Sequence, residues 1–156
     1  MRIYLPSTLP ELGAKGGLGP RIAHAVTAAL RAALPEEDEE GLEYAAQLLA
    51  ADASLERLDG FPAGSRRRVV VAADVPEAVV ESVDGDEDHA PSAVRLTTSI
   101  GWDDVACAHV DETAAEPDVL AALAGDTEAA EHLAERDMLW YDVSELGRLA
   151  AKVARG

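Results

Sequence analysis

The sequence predicts an α+β fold: a ferredoxin-like split β-α-β mixed sheet with an extra strand or hairpin and a C-terminal helix, in one domain over residues 1–156. Three observations lead there. The strong segments run strand, long helix, strand, strand, helices, strand, helix. The run Val69-Val70-Val71 is apolar without alternation, which asks for cover on both faces of a sheet. The stretch from Asp38 to Leu58 repeats apolar residues at helical spacing. A three-layer α/β fold with a mostly parallel sheet is the alternative, and it differs in where the strand ends point.

"RIYLPS" reads as a strand over 2–6, followed by Thr8 and Glu11 at capping-box spacing for a brief helical turn. "GAKGGLGP", 13–20, is a mobile connector. "IAHAVT" satisfies both the strand and the helix period and is left open between a short strand and the start of a helix. Thr27 to Leu34 is helical, and Pro35 ends it because a proline nitrogen cannot donate into the helix ladder.

In the long helix, Tyr44, Leu48, Ala51, Leu55 and Leu58 form the expected apolar stripe, with Leu42, Ala45 and Leu49 as a second row. The acids Glu36 to Glu40 sit where the helix dipole favours negative charge. Arg67 to Ala73 is a strand, "VDGDEDHAPS" an acidic loop, and "AVRLTTS" and "VACAHV" are strands joined through Gly101 and Trp102. Pro117 opens a helix to Leu123, Gly125 breaks it, and Asp126 caps a second segment to Arg136. "MLWYDV" is the last strand and Glu145 to Ala154 the last helix, with Leu146, Leu149, Ala150 and Val153 on one side.

Composition narrows the function. Hydrophobic residues make up 48% of the chain, mostly Ala, Leu and Val, beside two Trp, three Tyr and one Phe, so each aromatic matters to packing. Thirty acidic against 13 basic residues give a net charge of −17, which repels phosphate backbones and anionic lipid and favours a basic partner or cations. Asn is absent and Gln occurs once, a pattern of high-GC coding that makes part of the acidity background. The expected partner is therefore a protein or a second copy, with no nucleic acid and no membrane. One cysteine, Cys107, excludes an internal disulfide, and no signal peptide or membrane-length apolar run is present, which predicts a cytoplasmic protein.

Three strands end on an aspartate: Asp74, Asp111 and Asp142. In a parallel sheet they would share an edge and could hold a divalent cation. In the split arrangement Asp74 goes to one end, and Asp111 and Asp142 to the other, about 10 Å apart across an intervening strand. Asp74-Val-Pro-Glu77 and Asp142-Val-Ser-Glu145 both place an acid three residues before a Glu, so the expected role is capping of backbone N–H groups.

Arg66, Arg67 and Arg68 are the basic cluster and the ligand-binding candidates; they guard a sticky strand, clamp an acidic ligand or pair internally. Cys107 and His109 share a strand face as a possible thiolate and base, but adjacent same-face positions stand about 6.5–7 Å apart, and the surroundings read as core.

"DGDEDH" at 84–89 opens like a calcium loop, yet its sixth position is His89 and its twelfth Arg95, where Gly and Glu are required. "GAKGGLG" has no Gly-Lys-Ser/Thr for a phosphate cradle, and no G-x-S-x-G elbow occurs. His132, one turn from Glu128, lacks further ligands, and His24 carries no motif. No metal and no cofactor is expected, and enzymatic activity is left undecided.

The segments "RIYLPSTLP", "AHAVTAALR", "LEYAA", "RRRVVVAADVP", "HVDE" with "EPDV", and "LWYDVSEL" together resemble a family of small actinobacterial proteins of unknown function, across nearly the whole chain and in family order. The family usually carries Pro after "AVT", implying a strand that ends at Thr27 with a helix just after; this chain has Ala28 there. The resemblance implies no activity. The reading that follows is a non-enzymatic interaction domain with an apolar patch near Tyr4, Trp102 or Trp140. Its rival is a small metal-assisted enzyme or ligand-binding protein for a phosphorylated or acidic molecule, using the three aspartates and Arg66 to Arg68.

Overall fold

The computed structural model describes residues 1–83 and 88–155. Among these, seven strands form one sheet: β1 (Arg2–Ser7), β2 (Arg21–His24), β3 (Val69–Asp74), β4 (Val80–Ser82), β5 (Ala93–Leu96), β6 (Val105–Val110) and β7 (Leu139–Asp142). Their order is β4-β5-β2-β1-β3-β6-β7, and every neighbouring pair is antiparallel. The helices are α1 (Ala28–Ala33), α2 (Glu39–Glu56), α3 (Glu116–Leu123), α4 (Thr127–Glu135) and α5 (Leu146–Arg155).

The α+β class stands, but neither the ferredoxin-like mixed sheet nor the mostly parallel alternative forms. The cause is β2, the segment whose Ala-rich text fits both periods. It folds back beside β1 before the chain enters α2, so the chain crosses over in the reversed direction. β3 then arrives antiparallel to β1, where a direct β1-helix-β3 crossover would have made it parallel. Thr27 does begin a helix, accepting from the Leu30 N–H at 3.0 Å.

The unalternating valines are explained by cover on both faces. Val69, Val71 and Ala73 join Ile3 and Leu5 on the face that receives α5 and the 3-10 turn Pro10–Gly13. Val70 and Ala72 join Tyr4 and Cys107 on the face that receives α1 and α2. Along α5 the expected stripe holds, with Leu146 and Ala150 buried and Leu149 and Val153 packed against the core.

In α2 the expected stripe holds only in part: Ala51 and Leu58 are buried, as is Leu42 of the second row, but the stripe does not form the buried face. The buried face is Leu42, Ala46, Ala50, Ala51 and Ser54, while Tyr44 is 51% exposed. Small side chains let the helix backbone approach the sheet, which pushes the larger Tyr44 out to the rim. Ser54 uses that approach: its hydroxyl donates to the Ser7 carbonyl at 2.8 Å and accepts from the Val69 N–H at 2.9 Å, tying α2 to the last register pair of β1 and β3.

Residues 13–20 are also better anchored than a mobile connector. Leu18 is buried and exchanges backbone hydrogen bonds with Ile100 at 2.9 Å in both directions. Gly17, at φ +95°, makes the approach possible, since a Cβ there would run into the Ile100 carbonyl. At one end of the sheet Leu58, Ala115, Val119 and Leu133 form a third cluster under α3 and α4.

Candidate functional site

The antiparallel ladder decides what the strand-end aspartates can do. β3 and β7 run the same way on either side of β6, so Asp74 and Asp142 emerge at one end and Asp111 at the other. This corrects the expected partition, which placed Asp142 with Asp111. Cys107 lies opposite both Ala72 and Asp142, which puts Asp74 and Asp142 about 12 Å apart from two strand spacings and two residues of rise. Among the described residues no three His, Cys, Asp or Glu side chains are grouped to hold one metal ion.

Each aspartate has its own local partner. Asp74 receives Nε and Nη2 of Arg2 at 2.7 and 2.9 Å, and that bond holds its carboxyl below the usual range. The 3-10 turn that follows it begins after Pro76 with no side-chain cap, so the capping expectation fails there. At Asp142 the capping box is complete: the carboxylate accepts from the Ser144 N–H at 3.0 Å, and Glu145 accepts from the Asp142 N–H at 2.8 Å.

Asp111 is fully buried. It accepts the Arg68 N–H at 2.9 Å and a two-point guanidinium contact at 2.8 Å, while Arg68 also donates to the Leu133 carbonyl at 3.1 Å. The other two arginines of the cluster also turn inward. Arg67 donates to the Asp111 carbonyl at 2.8 Å and Arg66 to the Phe61 carbonyl at 2.8 Å. The basic run and the buried acid therefore join β3, β6 and α4 rather than forming an open anion clamp.

The sheet face between α2 and the β7 edge is different. α2 lies mainly across β1, β2 and β3, and among the described residues β7 has no strand on its outer side. His109 and Trp140 are register partners there, next to Cys107 and Asp142. Cys107 Sγ lies 3.8 Å from His109 Nε2, closer than the strand spacing suggested. Burial pushes the thiol up, against a smaller pull from the Trp140 indole N–H, and burial also lowers His109. Both groups are thus neutral at pH 7, and no thiolate is produced.

Trp140 is 60% exposed and Leu139 39% exposed. A depression of about 150 Å³ opens between Tyr44 and Leu48 of α2 and Met138 at the head of β7, with Arg68, Arg136 and Asp137 also in its lining. Of the three aromatics expected to mark a patch, only Trp140 does so. Tyr4 is buried and donates to Glu43 at 2.5 Å, and Trp102 is half-buried with its indole N–H on the Ala14 carbonyl at 2.6 Å.

His24, which carries no motif, lies on the floor of a cleft of about 560 Å³ between α2, β2 and β5, and residues 88–90. His24 is 5% exposed, and burial together with nearby His89 brings its pKa down to about 4. Its Nδ1 is 2.7 Å from the Ser92 hydroxyl, and Nε2 has no partner among the described residues.

Ser92 is fully buried, and its hydroxyl has this one bond. Leaving the hydroxyl proton without an acceptor costs about 1–3 kcal/mol, so the hydroxyl donates to Nδ1 and the imidazole proton sits on Nε2. Asp52 and Glu56 line the α2 wall without an ion-pair partner among the described residues, and burial raises the Asp52 pKa. The only sequence signal was a histidine inside the apolar run "RIAHAV"; its partner Ser92 is 68 residues away. Residues 84–87 of the calcium-like loop lie outside the described residues, and Asp88 and His89 reach the cleft rim.

The fold and these surfaces define a small α+β protein: one antiparallel sheet, helices on both faces, an open edge strand and a lined cleft. The chain belongs to a family of unknown function (DUF6912), whose model matches residues 1–150. No curated protein and no solved structure matches it. Among the described residues no helix is long and apolar enough to cross a membrane.

Proposed function

We propose that this protein is a cytoplasmic interaction domain, without catalytic activity, that docks an extended basic segment of a partner protein along β7. The observation that carries the reading is an outermost strand that offers an unpaired backbone edge together with exposed Leu139 and Trp140. Strand addition supplies main-chain hydrogen bonds, and side-chain pockets supply selectivity. The depression beside Tyr44 and Met138 is of side-chain size.

The net charge of −17, with Asp137 before the strand, Asp142 at its end and the neighbouring Arg136 drawn to Glu112 and Asp118 at 3.6 and 3.9 Å, favours a basic occupant and opposes nucleic acid or a second copy. The single free thiol suits a reducing compartment.

The test is a panel of strand-forming decapeptides alternating apolar with basic, neutral or acidic residues, added to the full chain carrying Trp102→Phe so that Trp140 is the fluorophore. Basic peptides should shift Trp140 emission and slow amide exchange over 139–142. Trp140→Ala, read by amide exchange, should weaken binding by about tenfold or more. Acidic peptides binding equally well, no peptide reaching β7, or a dimer at low salt that Trp140→Ala abolishes would each overturn the reading.

A further inference from the structure

We propose that the cleft over His24 binds a small organic cation that carries its own hydrogen-bond acceptor, an amine with a carbonyl or hydroxyl oxygen a few bonds away. This site is separate from the β7 edge and does not depend on it.

The cleft floor presents one directed donor. Ser92 fixes the ring through Nδ1, which leaves Nε2–H as an unpartnered polar group on a side chain that is nineteen-twentieths buried and lines the cleft. The imidazole is neutral at pH 7, so it contributes a dipole and no repulsion to a cation. That donor requires an acceptor on the ligand.

The wall requires positive charge. Asp52 and Glu56, one turn apart on α2, both line the cleft, and among the described residues neither forms an ion pair, although Arg68 acts on Asp52 through the protein at longer range. Arg57, the one cation on that wall, leans toward Glu11 at 4.0 Å, and Glu11 is itself held by Arg21 at 2.7 Å. The molecule's overall charge of −17 raises the local concentration of cations and lowers that of anions.

Ile22, Leu49, Ala53 and Ala93 supply the apolar remainder, and about 560 Å³ is within the range of small-molecule sites. An inorganic metal ion is a poor fit, because no three ligating side chains among the described residues converge. A phosphorylated or acidic ligand would meet the carboxylates.

The experiment is an NMR titration of the full chain at pH 7 with four probes of similar shape: L-leucinamide, isopentylamine, 4-methylpentanamide and 4-methylpentanoate. L-Leucinamide should give saturable shifts of the His24 ring and the Ala53 and Ala93 methyls. Isopentylamine should bind about fivefold and the neutral amide about tenfold more weakly, with the carboxylate not binding.

Asp52→Asn, a change on the helix surface that leaves the core intact, should weaken L-leucinamide about fivefold and leave the neutral amide unchanged. Trp140→Ala should change neither. Equal binding of amine and neutral amide, preference for the carboxylate, saturable shifts elsewhere, or no saturable shift up to about 20 mM, where even a millimolar site fills, would overturn the proposal.

Discussion

Replacing Asp111 by Ala should cost more stability than any other single change of a polar side chain. The carboxylate is fully buried and accepts three hydrogen bonds, two from the Arg68 guanidinium and one from the Arg68 N–H. Its removal leaves a guanidinium at 3% side-chain exposure holding only the Leu133 carbonyl, and orphans a buried amide. Breaking a buried pair in this way costs about 3–5 kcal/mol, which for a chain of this length corresponds to about 6–20 °C in Tm.

The pair itself need not be stabilising, and a second variant separates the two statements. Arg68→Met with Asp111→Asn removes both charges while keeping an acceptor for the Arg68 N–H, so it should recover most of the loss. Urea and thermal unfolding of both variants is the assay. A loss under about 1 kcal/mol for Asp111→Ala, typical of a solvated pair, would refute the claim that the charge is desolvated. A double variant as damaged as the single one would refute the claim that the unpaired cation is the cause.

Two further outcomes follow from local chemistry. The His24 pKa is lowered from 6.5 to about 4, so between those values the unfolded chain binds more protons than the folded one. Its contribution is complete above pH 6.5 and is lost on acidification, by about 2 kcal/mol between pH 7 and pH 5. His24→Gln should remove that part of the slope in urea midpoints, leaving the weaker, same-signed term of His109; an unchanged slope would refute it. Gly17→Ala forces an L side chain to positive φ against the Ile100 carbonyl, and should cost about 1–3 kcal/mol and speed exchange of the Leu18 and Ile100 amides; protection equal to the parent would refute it.

Features set by a few consecutive residues were legible in the sequence. The cap Asp126, the start of the long helix near Asp38, the stop at Pro35, the stripe of α5 and the two-sided burial of Val69 to Val71 follow from local rules, and all are present. Strand polarity was not legible, because it turned on the short segment 22–27, "IAHAVT", whose alternating alanines fit both the strand and the helix period. The stripe of α2 was misread because hydrophobicity favoured Tyr44 and Leu48, whereas close packing favoured Ala46, Ala50 and Ser54.

The same limit applies to the site residues. Asp74 looks like a cap beside Pro76 and Glu77, but its partner Arg2 is 72 residues away. Arg68 meets Asp111 across 43 residues and His24 meets Ser92 across 68, pairings that only the assembled sheet creates. Trp140 was named only alongside Tyr4 and Trp102, and it is the assembled sheet that leaves Trp140 exposed while burying Tyr4.

The two edges of the sheet explain why docking belongs to β7. β4 is three residues long and carries Glu81 opposite Arg95, so it offers little backbone and a charged surface, the usual protection of a sheet edge. β7 shows Leu139 and Trp140 before its first charge, and that charge, Asp142, is occupied in capping the turn to α5. An edge of this kind would ordinarily pair with a second copy. Here each copy brings 17 negative charges to the encounter, which opposes self-pairing and leaves the strand open to a segment of opposite charge. Raising the salt should therefore weaken the basic peptide while promoting dimers through the same strand, and salt that promoted neither change would remove the electrostatic half of the argument.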